Sequence, residues 1–353
     1  MYRRTFLAVG AAAALCPLAA QRLDRRNLLQ YRGRGERVAP VRTVKDWLRR
    51  RAEIVAGMQQ IMGPLPGPDK RCPLDVETHE ETDRGSHLLR RISYASEPDG
   101  RVPAYLLIPK RLLVSQAKAP AVLCLHPTDN QIGHKVVVGL GGMPNRQYAE
   151  ELAERGYVTL APSYPLLAGY QPDLKALGYR SGTMKAIWDN IRGLDVLESM
   201  PFVRKGAFAA IGHSLGGHNS VYTAVFDERL RVVISSCGLD SYLDYKDGDI
   251  RGWTSERYMP RLLEYRDRLG EIPFDFHEMI GALAPRVCFL SAPLKDDNFK
   301  WRSVDEIVEA ARPVYALYGK PENLIVKHPD CSHDFPDDMR RFAYSLLDRH
   351  LVR

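Results

Sequence analysis

The ten residues "IGHSLGGHNS" (211–220) place Ser214 two residues after Gly212 and two before Gly216. The stretch follows the apolar run "GAFAAI" and leads into "LGGHNSVYTAVF", a pattern that suits a helix. Gly-x-Ser-x-Gly alone is weak, because residues this common produce it by accident. A strand that turns into a helix within three residues is far more restrictive. A serine forced into that turn stands clear of the backbone, and only glycines on either side leave room for the neighbouring strand and helix. In this context the stretch reads as a nucleophile elbow rather than a glycine-rich turn, with Ser214 beside a helix N-terminus whose dipole favours developing negative charge.

A serine hydroxyl needs a base to take its proton and a third group to orient that base. In a strand–elbow–helix architecture the partners follow in the order serine, acid, histidine. His333 in "VKHPDCSHDFP" lies in a polar loop after the last strand, where the base is expected, while His328 closes that strand. For the acid, "FLSAPLKDDNFKW" offers Asp296 and Asp297 just beyond a strand end. Consecutive residues point apart, so Asp296 is preferred, Asp297 is expected to bond its own loop, and a capping box from Ser303 to Glu306 is expected to open the next helix. Asp240 in "CGLD" is the outside candidate. The oxyanion donors are expected to be the N–H groups of Leu215 and of Thr128 in "HPTDN"; Pro127 has none to give, and His126 braces that loop. His213 and His218 flank the elbow without an assigned role, and Cys331 reads as a loop residue.

Around the elbow the chain alternates short apolar runs with helical periods. "APAVLCLH", "YVTLAP", "AFAAIG", "RVVISSCG", "RVCFLSAP" and "NLIVKHP" read as strands, with helices over "NRQYAEELAERG", "TMKAIWDNIRGLDVLESM" and "DMRRFAYSLLDRHL". This is the pattern of a doubly covered, mostly parallel sheet, class α/β. Before it, "TVKDWLRRRAEIVAGMQQI" (43–61) predicts a helix, and "LDVETHEE", "LLRRISYAS" and "VPAYLLIP" predict antiparallel strands at one edge. Two aromatic-rich insertions, 163–182 and 238–270, fall where substrate loops occur over strand ends. Their Tyr170, Tyr179, Trp253 and Tyr258 either line a pocket or pack the insertions onto the body.

Of the net charge of +7, residues 1–37 carry +6, so the rest of the chain is close to neutral and offers no distributed basic face for nucleic acid. "MYRRTFLAVGAAAALCPLAAQ" has a basic head and an apolar stretch too short to span a bilayer, and reads as an export signal over residues 1–20, twin-arginine-like, directing the protein to the periplasm or the medium without stable membrane insertion. Five cysteines remain beyond residue 20, at no spacing that suggests zinc or a disulfide framework, so no metal or organic cofactor is expected. Residues 21–74 are read as an N-terminal extension and 75–353 as a catalytic domain with an insertion at about 238–280.

With "LCLHPT", "LAERGYVTLAPSYP", "IGHSLGGH", "LAPRVCFLSAP" and "CSHDFP" in place, the chain resembles the α/β-hydrolase superfamily, and within it dienelactone-hydrolase-like and acetyl-xylan-esterase-like proteins, over about residues 75–350. The resemblance implies an eight-stranded, mostly parallel sheet and hydrolysis through an acyl-enzyme on Ser214, His333 and Asp296. "HPT" departs from the usual His-Gly turn, which leaves the second oxyanion donor open. The serine, where true dienelactone hydrolases use cysteine, turns the expectation to carboxylic esters, small or carbohydrate-linked, acetyl esters among them. A serine peptidase of the prolyl-oligopeptidase type is the alternative within the fold, and a silent binding module the alternative outside catalysis. Residues 21–118 are too few for the propeller such peptidases carry.

Overall fold

The computed structural model describes residues 22–352. The stretch read as an export signal therefore lies outside the described residues. Two short strands, β1 (Gln30–Arg32) and β2 (Val38–Pro40), pair with each other, and helix α1 (Val44–Met62) follows. Helix α1 starts where expected because Thr43 and Asp46 form a reciprocal capping box, and it stops at Gly63, whose φ of 95° continues no helix. Trp47, Ile54, Met58 and Ile61 recur on one face and are buried against the body.

Nine strands form the main sheet: β3 (Glu77–Asp83), β4 (His87–Glu97), β5 (Gly100–Pro109), β6 (Ala119–Leu125), β7 (Val158–Pro162), β8 (Val203–His213), β9 (Leu230–Ser236), β10 (Val287–Ser291) and β11 (Leu324–Lys327). Their order is β11-β10-β9-β8-β6-β7-β5-β4-β3. All pairs from β11 to β7 are parallel, and the remaining three are antiparallel. This is the α/β-hydrolase architecture, with one strand more than the eight expected. The extra edge is β3, which is exposed along its length and held to β4 by Arg90–Glu81 and Arg91–Glu80 ion pairs. Its lack of apolar residues and its charge suit an edge that must not recruit another strand.

Six further helices and one short turn of helix complete the fold: α2 (Lys110–Leu113), α3 (Tyr148–Glu154), α4 (Gly182–Ser199), α5 (Leu215–Phe226), α6 (Phe276–Ala282), α7 (Trp301–Leu317) and α8 (Asp337–Leu347). Central strand β6 shows why both faces are covered. Ala121, Leu123 and Leu125 enter the core shared with α1, α4, α5, α6 and α7, while Val122 and Cys124 enter the core shared with α3 and α8. Among the described residues no helix is long and apolar enough to cross a membrane. Registers Leu125↔Gly212, His213↔Ser236, Ser236↔Ser291 and Ser291↔Lys327 align the carboxyl ends of five neighbouring strands, so the loops that follow leave from one edge.

Candidate active site

Ser214 joins β8 to α5 with φ 54° and ψ −120°, a conformation that costs about 1–3 kcal/mol for a residue with a Cβ. The surroundings over-determine it. Its N–H donates to Ser236 O at 2.8 Å, and its carbonyl accepts from Gly217 and His218 at 2.8 and 3.2 Å. The flanking glycines are sterically required: a Cβ on Gly212 would lie 2.1 Å from Gly216 O, and one on Gly216 would lie 1.8 Å from Leu125 O. The half-buried Ser214 side chain makes no hydrogen bond to His333 among the described residues; such bonds are commonly loose until substrate is bound.

The loop after β10 carries Asp296 to the loop after β11. His333 Nδ1 lies 2.9 and 3.0 Å from the two carboxylate oxygens. Nδ1 is therefore the protonated nitrogen, and Nε2 is left as the acceptor. Burial pushes the Asp296 carboxyl up, but the hydrogen bond and charge of His333, with the N–H groups of Asn298 and Phe299, hold it below the ordinary carboxylate range. Asp296 thus also bonds its own loop, at 2.8 and 3.2 Å. That task had been expected of Asp297, whose backbone carbonyl instead accepts from Lys246. The capping box at Ser303 is not formed. Helix α7 begins earlier, at Trp301, and Ser303 Oγ donates to Asp244 at 2.6 Å while accepting from Ser241 N–H.

The loop that carries His333 is held by residues that no sequence motif signalled. Buried Arg146 donates to Asp334 at 2.5 Å and to His333 O at 3.2 Å, Asn145 donates to Asp334 at 2.8 Å, and the Cys237 thiol donates to Asp334 O at 3.2 Å. Cys237, Asp296 and His333 form the one group of metal-ligating side-chain types among the described residues whose ligand atoms lie within 4.8 Å of one another. The thiol is engaged with backbone, and burial raises its pKa well above the ordinary value. His328 bonds Ala292 O and Asp305 at the end of β11, away from His333's role. His213 is buried below, with Nδ1 3.2 Å from Ser236 Oγ and its ring edge-on to His333 at 4.8 Å.

Leu215, the first residue of α5, has a backbone N–H without an intrahelical acceptor. Across from it, His126 Nε2 accepts from Tyr164 N–H at 3.0 Å, which makes Nδ1 the donor to Pro127 O at 2.8 Å. Burial holds this ring's pKa down, to about 4, so it stays neutral. Because the peptide is planar and trans, fixing the Pro127 carbonyl aims the Thr128 N–H the opposite way. Thr128 is exposed, and its Oγ1 lies 3.3 Å from the Tyr258 hydroxyl. Asp240 is buried after β9, with one oxygen on Lys300 N–H at 3.1 Å and the other unpartnered.

No model of a known protein family matches the chain. It is similar to the "Putative hydrolase YtaP" of Bacillus subtilis (strain 168), 24% identical over 312 residues that cover 85% of this chain and all of that one. Among solved structures, a glucuronoyl esterase from Solibacter usitatus superposes with a TM-score of 0.72 at 19% identity, covering 91% of this chain and 97% of the other. An acetyl xylan esterase from Paenibacillus sp. R4 does so with a TM-score of 0.57 at 17% identity, over 85% and 93% of the two chains. At such identities these likenesses carry the fold.

Proposed function

We propose that this chain, folded as an α/β hydrolase, is a serine esterase that cleaves carbohydrate-linked carboxylic esters. Ser214 is the nucleophile, His333 the base and then the acid, and Asp296 the group that orients the imidazole. The observation that carries this reading is the grip of both Asp296 oxygens on His333 Nδ1, which leaves Nε2 free to accept a proton at the sheet edge where Ser214 stands. Similarity to proteins named glucuronoyl esterase and acetyl xylan esterase supports a sugar in the substrate, on either side of the ester bond.

In the reaction, Ser214 Oγ attacks the acyl carbon as its proton passes to His333 Nε2. The carbonyl electron pair moves onto oxygen, where the N–H groups of Leu215 and Thr128 receive the charge. Collapse expels the alcohol, which takes the proton back from His333, and water repeats the sequence on the acyl-enzyme. Asp296 remains ionised throughout, in keeping with its lowered pKa. Export through residues 1–20, ahead of an extension over 21–74 and a catalytic domain over 75–353, belongs to this reading, because polymeric sugar esters lie outside the cell.

The test is turnover of methyl glucuronate, acetylated xylo-oligosaccharides and p-nitrophenyl acetate by the mature protein and by Ser214→Ala. A loss of about four orders of magnitude or more in the variant is expected. Full turnover by Ser214→Ala would overturn the reading. Preference for methyl glucuronate would make the sugar the acyl portion, and preference for the acetylated sugars would make it the alcohol.

A further inference from the structure

Tyr258 touches both sides of the pocket in which the oxyanion would form. Its hydroxyl lies 3.3 Å from Thr128 Oγ1, and its ring packs against the cluster of Tyr164, Leu167, Ala186 and Leu215. Ring centroids of Tyr164, His218 and Trp253 lie 6.3, 6.2 and 6.3 Å away. The backbone carrying it is fixed to the body on several sides. Gly182 N–H donates to Glu256 O at 2.9 Å, Thr183 N–H to Tyr258 O at 3.3 Å, Tyr164 hydroxyl to Arg257 O at 3.0 Å, and Arg257 Nε to Leu166 O at 3.0 Å. The approach is close enough that a Cβ on Gly182 would lie 2.1 Å from Arg257 O. A side chain so held is pre-organised rather than a mobile lid residue.

We infer that the Tyr258 hydroxyl is a third hydrogen-bond donor to the oxyanion, supplied by the second insertion; this rests on the esterase reading above. Two observations point the same way. The loop after β6 has Pro127 where another residue would bring an N–H, so the loop's contribution is left to Thr128. The contact that the phenol makes in the free protein is long for O–H···O, where about 2.7–2.8 Å is usual. Whichever hydroxyl donates in it, little is given up when the phenol O–H turns to a developing negative charge. A phenol O–H donates without bringing a charge of its own to a site that must bind an alkoxide-like oxygen.

The oxyanion forms in both acylation and deacylation, whereas the leaving alcohol is present only in the first. Rapid-mixing measurements with p-nitrophenyl acetate separate the two steps in the full mature protein and in Tyr258→Phe, which keeps the ring packing. Both rate constants are expected to fall about tenfold or more, with substrate affinity little changed. A fall in acylation alone, or a rise in KM alone, would place Tyr258 on the alcohol and overturn the inference. Thr128→Ala removes the Oγ1 partner but keeps the N–H; if it loses as much as Tyr258→Phe, the tyrosine only braces the loop and the inference fails. Should Tyr258→Phe melt early, a fluorinated tyrosine at 258 preserves the shape and makes the phenol more acidic; unchanged rates would then overturn the inference. Turnover that survives in Ser214→Ala would instead sink the esterase reading itself.

Discussion

The two aromatic-rich insertions have similar composition and opposite allegiance. In the first, Tyr170 hydroxyl donates to Asp189 at 2.9 Å and Tyr179 hydroxyl to Glu97 at 3.0 Å. Both rings lie by the fully buried Lys185 ammonium, which also holds Asp189 at 2.5 Å, Glu97 at 3.0 Å and Ser96 Oγ at 3.0 Å. These tyrosines fasten the insertion to β4 and α4 and so pack it onto the body, Tyr170 also lining a surface cleft with Gly100, Arg101 and Gln171. The rings of the second insertion form a continuous wall with Phe299 of the loop after β10. Phe299 lies 5.9 Å from His333, Trp253 spans from Phe299 to His218, and Tyr258 ends the wall at Thr128. Buried charges beneath the first insertion draw its phenols downward, whereas the second has its aromatic rings packed between His333 and the loop that carries Thr128.

The largest expected effect breaks the first region. Lys185→Met leaves Asp189 buried without its cation and Glu97 with Lys70 alone, and losing one partner of such a network costs about 3–5 kcal/mol. Chemical denaturation should show that loss, while kcat of the fraction that stays folded matches the parent protein. A fall in kcat without a fall in stability would mean that the first insertion also serves the site.

Most of this frame was legible from periodicity and turn chemistry. The elbow was readable because Gly212 and Gly216 face backbone oxygens that leave no room for a Cβ, a constraint that survives in sequence as glycine at a fixed spacing. The contact of Asp296 with His333 was readable because each follows an apolar strand in the required order. What escaped was held by long-range polar contacts with no local pattern. Arg146 reaches a loop 188 residues away. Ser303 had the spacing of a cap but found Asp244, because a tertiary partner outcompeted the local one. The two insertions could not be told apart for the same reason: Lys185 and Asp189 read as ordinary polar positions on a helix until Glu97 arrives from β4.

One residue ties the first insertion to the site after all. Tyr164 N–H holds His126 Nε2, and through the ring the Pro127 carbonyl. His126→Ala should therefore misaim the Thr128 N–H and lower kcat about tenfold, with KM nearly constant, since a shared donor is weakened rather than removed. With the ring's pKa near 4, the ratio of parent to variant kcat is expected to be flat from pH 6 to 9. A ratio that changes across that range would mean that the ring titrates in the reaction and does more than hold a carbonyl.

The smallest effect on turnover concerns Asp240, at the root of the second insertion. Burial raises its pKa to about 8, with Asp244 and Asp275 adding to the rise and Lys300 opposing it. The folded value lies above the ordinary one near 3.9, so the folded state holds the proton longer. The stability this contributes is full below about pH 4, declines as pH rises, and is lost once pH passes about 8. Asp240→Asn keeps the shape and removes that decline, so its melting temperature should exceed the parent's by more at pH 9 than at pH 5. Its kcat at pH 7 should equal the parent's while Asp296→Asn collapses. The opposite pattern would transfer the orienting role from the loop after β10 to the carboxyl after β9, and with it the second insertion would become part of the catalytic machinery rather than its wall.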